Sequence, residues 1–150
     1  MNGLQKDFYI FICLVIFSYV MDIATSNGIY KKCIHSPVFH ANLFFHHFIN
    51  IFSQFGWLSS NIYVLYFYLT VPIVVLIHWK TNQNRCVLTE RTNKMCDIPN
   101  GYLRDWMELV GIKKQTWYDT FHMSLLFTGW CIALWKIIKI IRNKNKEDVM

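Results

Sequence analysis

The residues of this chain with chemistry to offer are six histidines and five cysteines, set in a background that is 54 % hydrophobic. Imidazole and thiolate ligate transition metals, and two imidazoles on facing helices can hold haem iron axially. If four helices cross a membrane, Cys33, His35, His40, His78, Cys86, Cys96 and His122 gather at one face. His46 and His47 then lie roughly 9–10 Å deeper, at a rise of 1.5 Å per residue. On that arrangement His46 or His47, with His78 and His122, would bind haem or a transition metal in a membrane redox subunit, for example of a protist organelle complex. The spacing argues against it. No HxxxH, HxxHH or ExxH lies within one helix, and the adjacent His46 and His47 point about 100° apart. No acid stands ready inside the membrane either, because Asp22 closes an apolar run and falls at headgroup level. The expectation is that these rings make interhelical hydrogen bonds, as Asn50 and Gln54 also can. No metal site is assigned and no cofactor is expected.

A second candidate is the run HWKTNQNRCVLTE, from His78 to Glu90. His78 lies eight residues before Cys86 and could serve as its base, but a thiol nucleophile also needs a positioned acid or amide. A thiol-dependent membrane enzyme is therefore the third choice, and a structured loop the first. Asn82 and Asn84 turn the backbone, and Thr89 caps a following turn. With Arg91 and Arg104 they are the residues offered to partners. Cys33, Cys86 and Cys96 sit in polar loops and could pair in an oxidising compartment. A Cys86–Cys96 disulfide pinning the loop is the expected bridge. No CxxC pair is present, so a zinc knuckle is not expected. Cys13 and Cys131 fall in apolar helices and read as inert small hydrophobes.

Four apolar stretches must position these groups. Residues 8–24 read as a retained signal-anchor helix with no convincing A-x-A cleavage site, at the lower limit for a span. Ser26-Asn27-Gly28 stops it. Ser36-Pro37 then has the form of a helix start. In the helix over 39–58, His40, Asn42, His46, His47, Asn50, Ser53 and Gln54 share one half of the wheel, and phenylalanines and isoleucines fill the other. It carries no lysine or arginine for anionic lipid, so crossing with the polar face toward sister helices is preferred over lying in the interface. Asn61 caps the next span, 61–79, in which Pro72 predicts a kink. Trp79 and Lys80 mark the membrane edge. Loop 80–116 is extramembrane. Within it YLRDWMELVGI, residues 102–112, has the spacing of a half-helix on the bilayer surface. The last span covers about 117–141, with Lys136 and Lys139 snorkelling outward, and a basic tail follows over 142–150.

Composition agrees with a single membrane domain. Charged residues are only 16 %, against about 25 % in soluble proteins. The formal charge of +6 lies partly in Lys136, Lys139, Arg142, Lys144 and Lys146, directly after an apolar helix, where basic residues meet headgroups. No groove of interleaved aromatic and basic residues accompanies it, so nucleic acid is not an expected partner. The tail points to the cytoplasm, but basic residues in loop 80–116 divide the positive-inside rule.

The helix HHFINIFSQFGWL followed by HWKTNQNRCVLTE resembles small multi-span membrane proteins of unknown function encoded by large nucleocytoplasmic DNA viruses, over residues 43–95. The bias toward Asn, Lys, Ile and Phe is similar to that of AT-rich genomes of this kind. The resemblance implies a virion or host-derived membrane, beneath a capsid shell, and no catalytic residues. The expectation is an all-α integral membrane bundle with four transmembrane helices, or three plus one interfacial amphipathic helix. Its expected role is structural: anchoring or organising a membrane within a larger assembly of membrane or capsid proteins, with the lipid bilayer as a partner and no small-molecule substrate.

Overall fold

The computed structural model describes residues 3–82, 86–98, 109 and 118–147. Every regular element among them is helical: α1 (Gly3–Ala24), α2 (Pro37–Phe55), a 3-10 turn (Gly56–Leu58), α3 (Ile62–Thr81), α4 (Val87–Cys96) and α5 (Tyr118–Glu147). The boundaries follow local chemistry. Ser36 caps α2, its hydroxyl accepting from the Phe39 N–H, with Pro37 in the first turn. There the missing proline N–H costs nothing. Asn61 caps α3, accepting from the N–H groups of Tyr63 and Val64. Beyond the end of α1, Asn27 (φ 50°) and Gly28 (φ 79°) are two left-handed residues that turn the chain back. α2 stops at Phe55, three residues short of expectation. α5 continues to Glu147, so the basic segment extends a helix where a tail was expected.

The contacts between α1 and α2 step down one helix as they step up the other. Tyr19 meets His40, Ser18 meets His47, Phe11 meets Phe52, and Asp7 accepts hydrogen bonds from Ser59 and Ser60. α1 and α2 are thus an antiparallel hairpin in contact along their whole length. α3 and α5 pair in the same sense, with Trp130 donating to the Leu69 carbonyl at 3.1 Å. Lys136, expected to point outward, instead donates to the carbonyls of Trp57, Leu58 and Ser59, at 2.9–3.3 Å. These are C=O groups that the end of α2 and the 3-10 turn leave without a helical partner. α2 lies at the centre, in contact with α1, α3, α4 and α5.

Each outer helix buries one stripe. On α1 it is Phe11, Val15, Ser18 and Asp22; on α5 it is His122, Leu126, Gly129, Ala133 and Ile137. Spacings of three and four keep such residues on one face. The other faces are apolar and open. Leu4–Ala24, Ile62–Thr81 and Thr120–Lys146 are long and apolar enough to cross a membrane, yet only 22, 17 and 22 % of their apolar windows is buried. Tyr63, Phe67, Val74 and Phe127 are among the residues left outside. A water-soluble monomer rarely shows so large an apolar surface. The protein therefore has the all-helical build and apolar exterior of a membrane protein, with three helices fit to span.

Candidate functional site

The polar half of α2 is where the chain concentrates its chemistry. At its N-terminal end, the Ile34 carbonyl lies 2.6 Å from His40 Nε2. A carbonyl only accepts, so Nε2 carries the proton and Nδ1 accepts from the Tyr19 hydroxyl, at 2.6 Å. Two residues on, Asn42 Nδ2 donates to the Leu88 carbonyl at 2.7 Å and to Thr92 Oγ1 at 2.6 Å, tying α2 to α4.

His47, fully buried, stands at the centre of a four-residue network. Its Nε2 is 3.1 Å from Asp22 Oδ2 and its Nδ1 is 2.9 Å from Ser18 Oγ. Tyr30 donates to the same Asp22 oxygen at 3.0 Å. An ionised carboxylate accepts only, so Nε2–H points to Asp22 and Nδ1 accepts the Ser18 proton. Asp22, expected at headgroup level, is instead completely enclosed. It is the acid that the sequence left without a role. The reason is its register, since Asp22 follows Ser18 by one turn on the stripe that faces α2. Serine, histidine and aspartate in series also form nucleophilic triads. Here Ser18 is only 4 % exposed and His47 is fully buried, so no substrate carbonyl can approach the hydroxyl. The network holds helices together.

At the other end of α2, Gln54 Nε2 donates to His122 Nδ1 on α5 at 3.0 Å. His78, near the end of α3, accepts the Val87 N–H on Nε2 at 3.1 Å and so holds the start of α4. His46 lies beside His47, with ring centroids 5.6 Å apart. A metal needs a nitrogen lone pair. In His47, His78 and His122 that lone pair already accepts a hydrogen bond from Ser18, Val87 and Gln54 respectively. Among the described residues, no three His, Cys, Asp or Glu side chains come together as a metal site. Four imidazoles link helices instead: His40 and His47 join α2 to α1, His78 joins α3 to α4, and His122 joins α5 to α2.

The cysteines pair differently from expectation. Cys96 is bonded to Cys33, with Cα atoms 4.9 Å apart, and Cys86 is a free thiol. The expected Cys86–Cys96 bridge is incompatible with the helix between them. Cys86 caps α4 and Cys96 ends it, which separates their Cα atoms by about 15 Å of helical rise, far beyond the ~7 Å limit of a disulfide. Next to the bridge, Lys32 pairs with Asp97. The hydrogen bond and charge of the Lys32 ammonium hold the Asp97 carboxyl below its ordinary range. Both groups are exposed, so the pair adds little stability.

Of the residues expected to face partners, Asn82 ends α3 and donates to Glu90 Oε2 at 3.3 Å. Thr89 and Arg91 lie on α4, a helix not expected from the sequence. Asn84, Arg104 and the half-helix expected within residues 102–112, apart from Leu109, lie outside the described residues. Comparison with protein-family models, with curated proteins and with solved structures finds no match to the chain.

Proposed function

We propose that the protein is a structural membrane protein, a four-helix bundle in which α2 crosses with α1, α3 and α5, and that it anchors or organises a membrane within a larger assembly. One observation carries this reading: polar groups of α2 bond to three other helices. His47 is bound to α1, Asn42 to α4 and Gln54 to α5. A helix lying in the interface would turn those groups to water and headgroups. A catalytic or cofactor helix would direct several of them into one open site. Packing α2 against α1 along its whole length, in a hairpin whose first helix is long enough to span, supports a crossing by both.

The parts outside the hydrocarbon are α4, with Thr89 partly exposed, and the charged end of α5. They are the surfaces this reading offers to protein partners. A virion inner membrane is the setting suggested by the resemblance of residues 43–95. The test has two steps in native membranes. Carbonate washing should leave the protein in the pellet, and a photo-crosslinking residue at Thr89 or Asn143 should give discrete adducts with other proteins. Release by carbonate would remove the membrane reading. Retention without any protein adduct from either position would remove the assembly role.

A further inference from the structure

The outward side of α2 carries a stripe that no helix covers among the described residues. Val38, Ala41 and Phe45 follow at spacings of three and four, and all three are exposed. With Pro37, Asn42 and the α4 residues Leu88 and Arg91 they line a groove of about 450 Å³. The groove combines one charged side chain with an apolar wall. Arg91 is its one charged group, exposed on α4, and makes no ion pair among the described residues. Asn42 also lines it, but its amide is turned away to Leu88 and Thr92. From Pro37 to Phe45 the remaining wall is hydrocarbon for about 12 Å along the helix.

The level of α4 relative to the bilayer follows from its attachments. The Cys96–Cys33 bond joins it to the α1–α2 loop, and His78 on the last turn of α3 holds its start. α4 therefore sits at the end of the bundle, at headgroup depth, and the stripe Val38, Ala41 and Phe45 descends from that end toward the hydrocarbon.

We propose that this groove is a binding site for one membrane phospholipid, its phosphate on Arg91 and an acyl chain along Val38, Ala41 and Phe45. The guanidinium fork matches phosphate oxygens, and its phosphate bonds are charge-assisted. A protein ligand is the weaker match, because the apolar stripe descends into the bilayer rather than out of it. The site rests on the membrane-spanning reading above.

Native mass spectrometry of the detergent-purified full chain tests it, with phosphatidylglycerol as the probe and diacylglycerol as its phosphate-free counterpart. The wild type should retain one phosphatidylglycerol in preference to diacylglycerol. Arg91→Ala should weaken retention about tenfold, as expected for a lost charge-assisted bond. Ala41→Trp should fill the groove and abolish retention of both lipids. Arg91 and Ala41 are exposed, and persistence of the Cys33–Cys96 bridge on a non-reducing gel reports that the variants fold. Equal retention by wild type and Arg91→Ala would overturn the site, as would equal retention of the two lipids. The membrane reading is tested separately by the carbonate wash: a pelleted protein with indifferent lipid retention sinks the groove alone.

Discussion

Asp22 and His47 show how far one buried pair can matter in a chain with few charges. Both side chains are enclosed between α1 and α2, with Ser18 on His47 Nδ1 and Tyr30 sharing Asp22 Oδ2 with His47. Removing one partner leaves the other desolvated and without its bond, whereas replacing both removes the polar burden together. His47→Leu should therefore lower stability by about 3–5 kcal/mol, read as thermal unfolding in detergent micelles. The double variant with Asp22→Leu should recover part of that loss. A single variant as stable as wild type would show that the pair holds nothing. The histidine half of this pair was legible in the sequence, because the wheel of residues 39–58 put His47 on a polar face with no solvent to meet. The aspartate half was not. Its position beside the end of an apolar run resembles an interfacial residue, and only the 11–15–18–22 stripe of α1 marks it as facing inward. Once Phe11 and Val15 are known to be buried, Ser18 and Asp22 must follow them.

At the scale of elements, the sequence carried the four long helices and two of their caps, because Ser36-Pro37 and Asn61 act within a few residues of themselves. It did not carry α4. That helix is short, polar and capped by Cys86 without a side-chain hydrogen bond, so its stability comes from Asn42, His78 and the Cys33 bridge, contacts distant in sequence. The pairing of α5 was equally hidden. Gly129 lies where α5 crosses the aromatic corner formed by Trp57 and Tyr68, and a Cβ built there overlaps both the Trp57 ring and the Tyr68 hydroxyl. Small residues allow helices this approach in a membrane protein. Gly-to-Ala in an open helix normally stabilises by up to ~1 kcal/mol. Gly129→Ala should reverse that sign and destabilise by about 1–3 kcal/mol through overpacking, measured in the same micelle unfolding assay. A stabilised variant would mean that α5 does not pack on Trp57.

For the whole molecule, the disulfide constrains how many times the chain crosses. Cys33 precedes α2, and Cys96 follows α3. If α3 spanned while α2 lay on the surface, the two cysteines would be on opposite faces, with about 30 Å of hydrocarbon between them. The bond can form only if α2 and α3 both cross or neither does, and the length and hydropathy of Ile62–Thr81 favour crossing. The same bond helps to orient the bundle. On the proposed four-span reading, a disulfide, which persists in oxidising compartments, would place the α1–α2 loop and α4 on the non-cytoplasmic side. Lys136 reaches the α2–α3 turn at the other end of the bundle, so Arg142, Lys144 and Lys146 emerge on the opposite face. Basic residues flanking a span are retained in the cytoplasm, so on that reading the basic end of α5 and the disulfide would favour the same orientation. With only the plasma membrane permeabilised, an impermeant maleimide should therefore react with Asn143→Cys, while the free thiol of Cys86 should react only after the internal membrane is dissolved. A non-reducing gel should show a shift on reduction that is lost in Cys33→Ser or Cys96→Ser and kept in Cys86→Ser. A shift that survives Cys33→Ser but disappears with Cys86→Ser would restore the sequence-local bridge and remove the argument that α2 crosses.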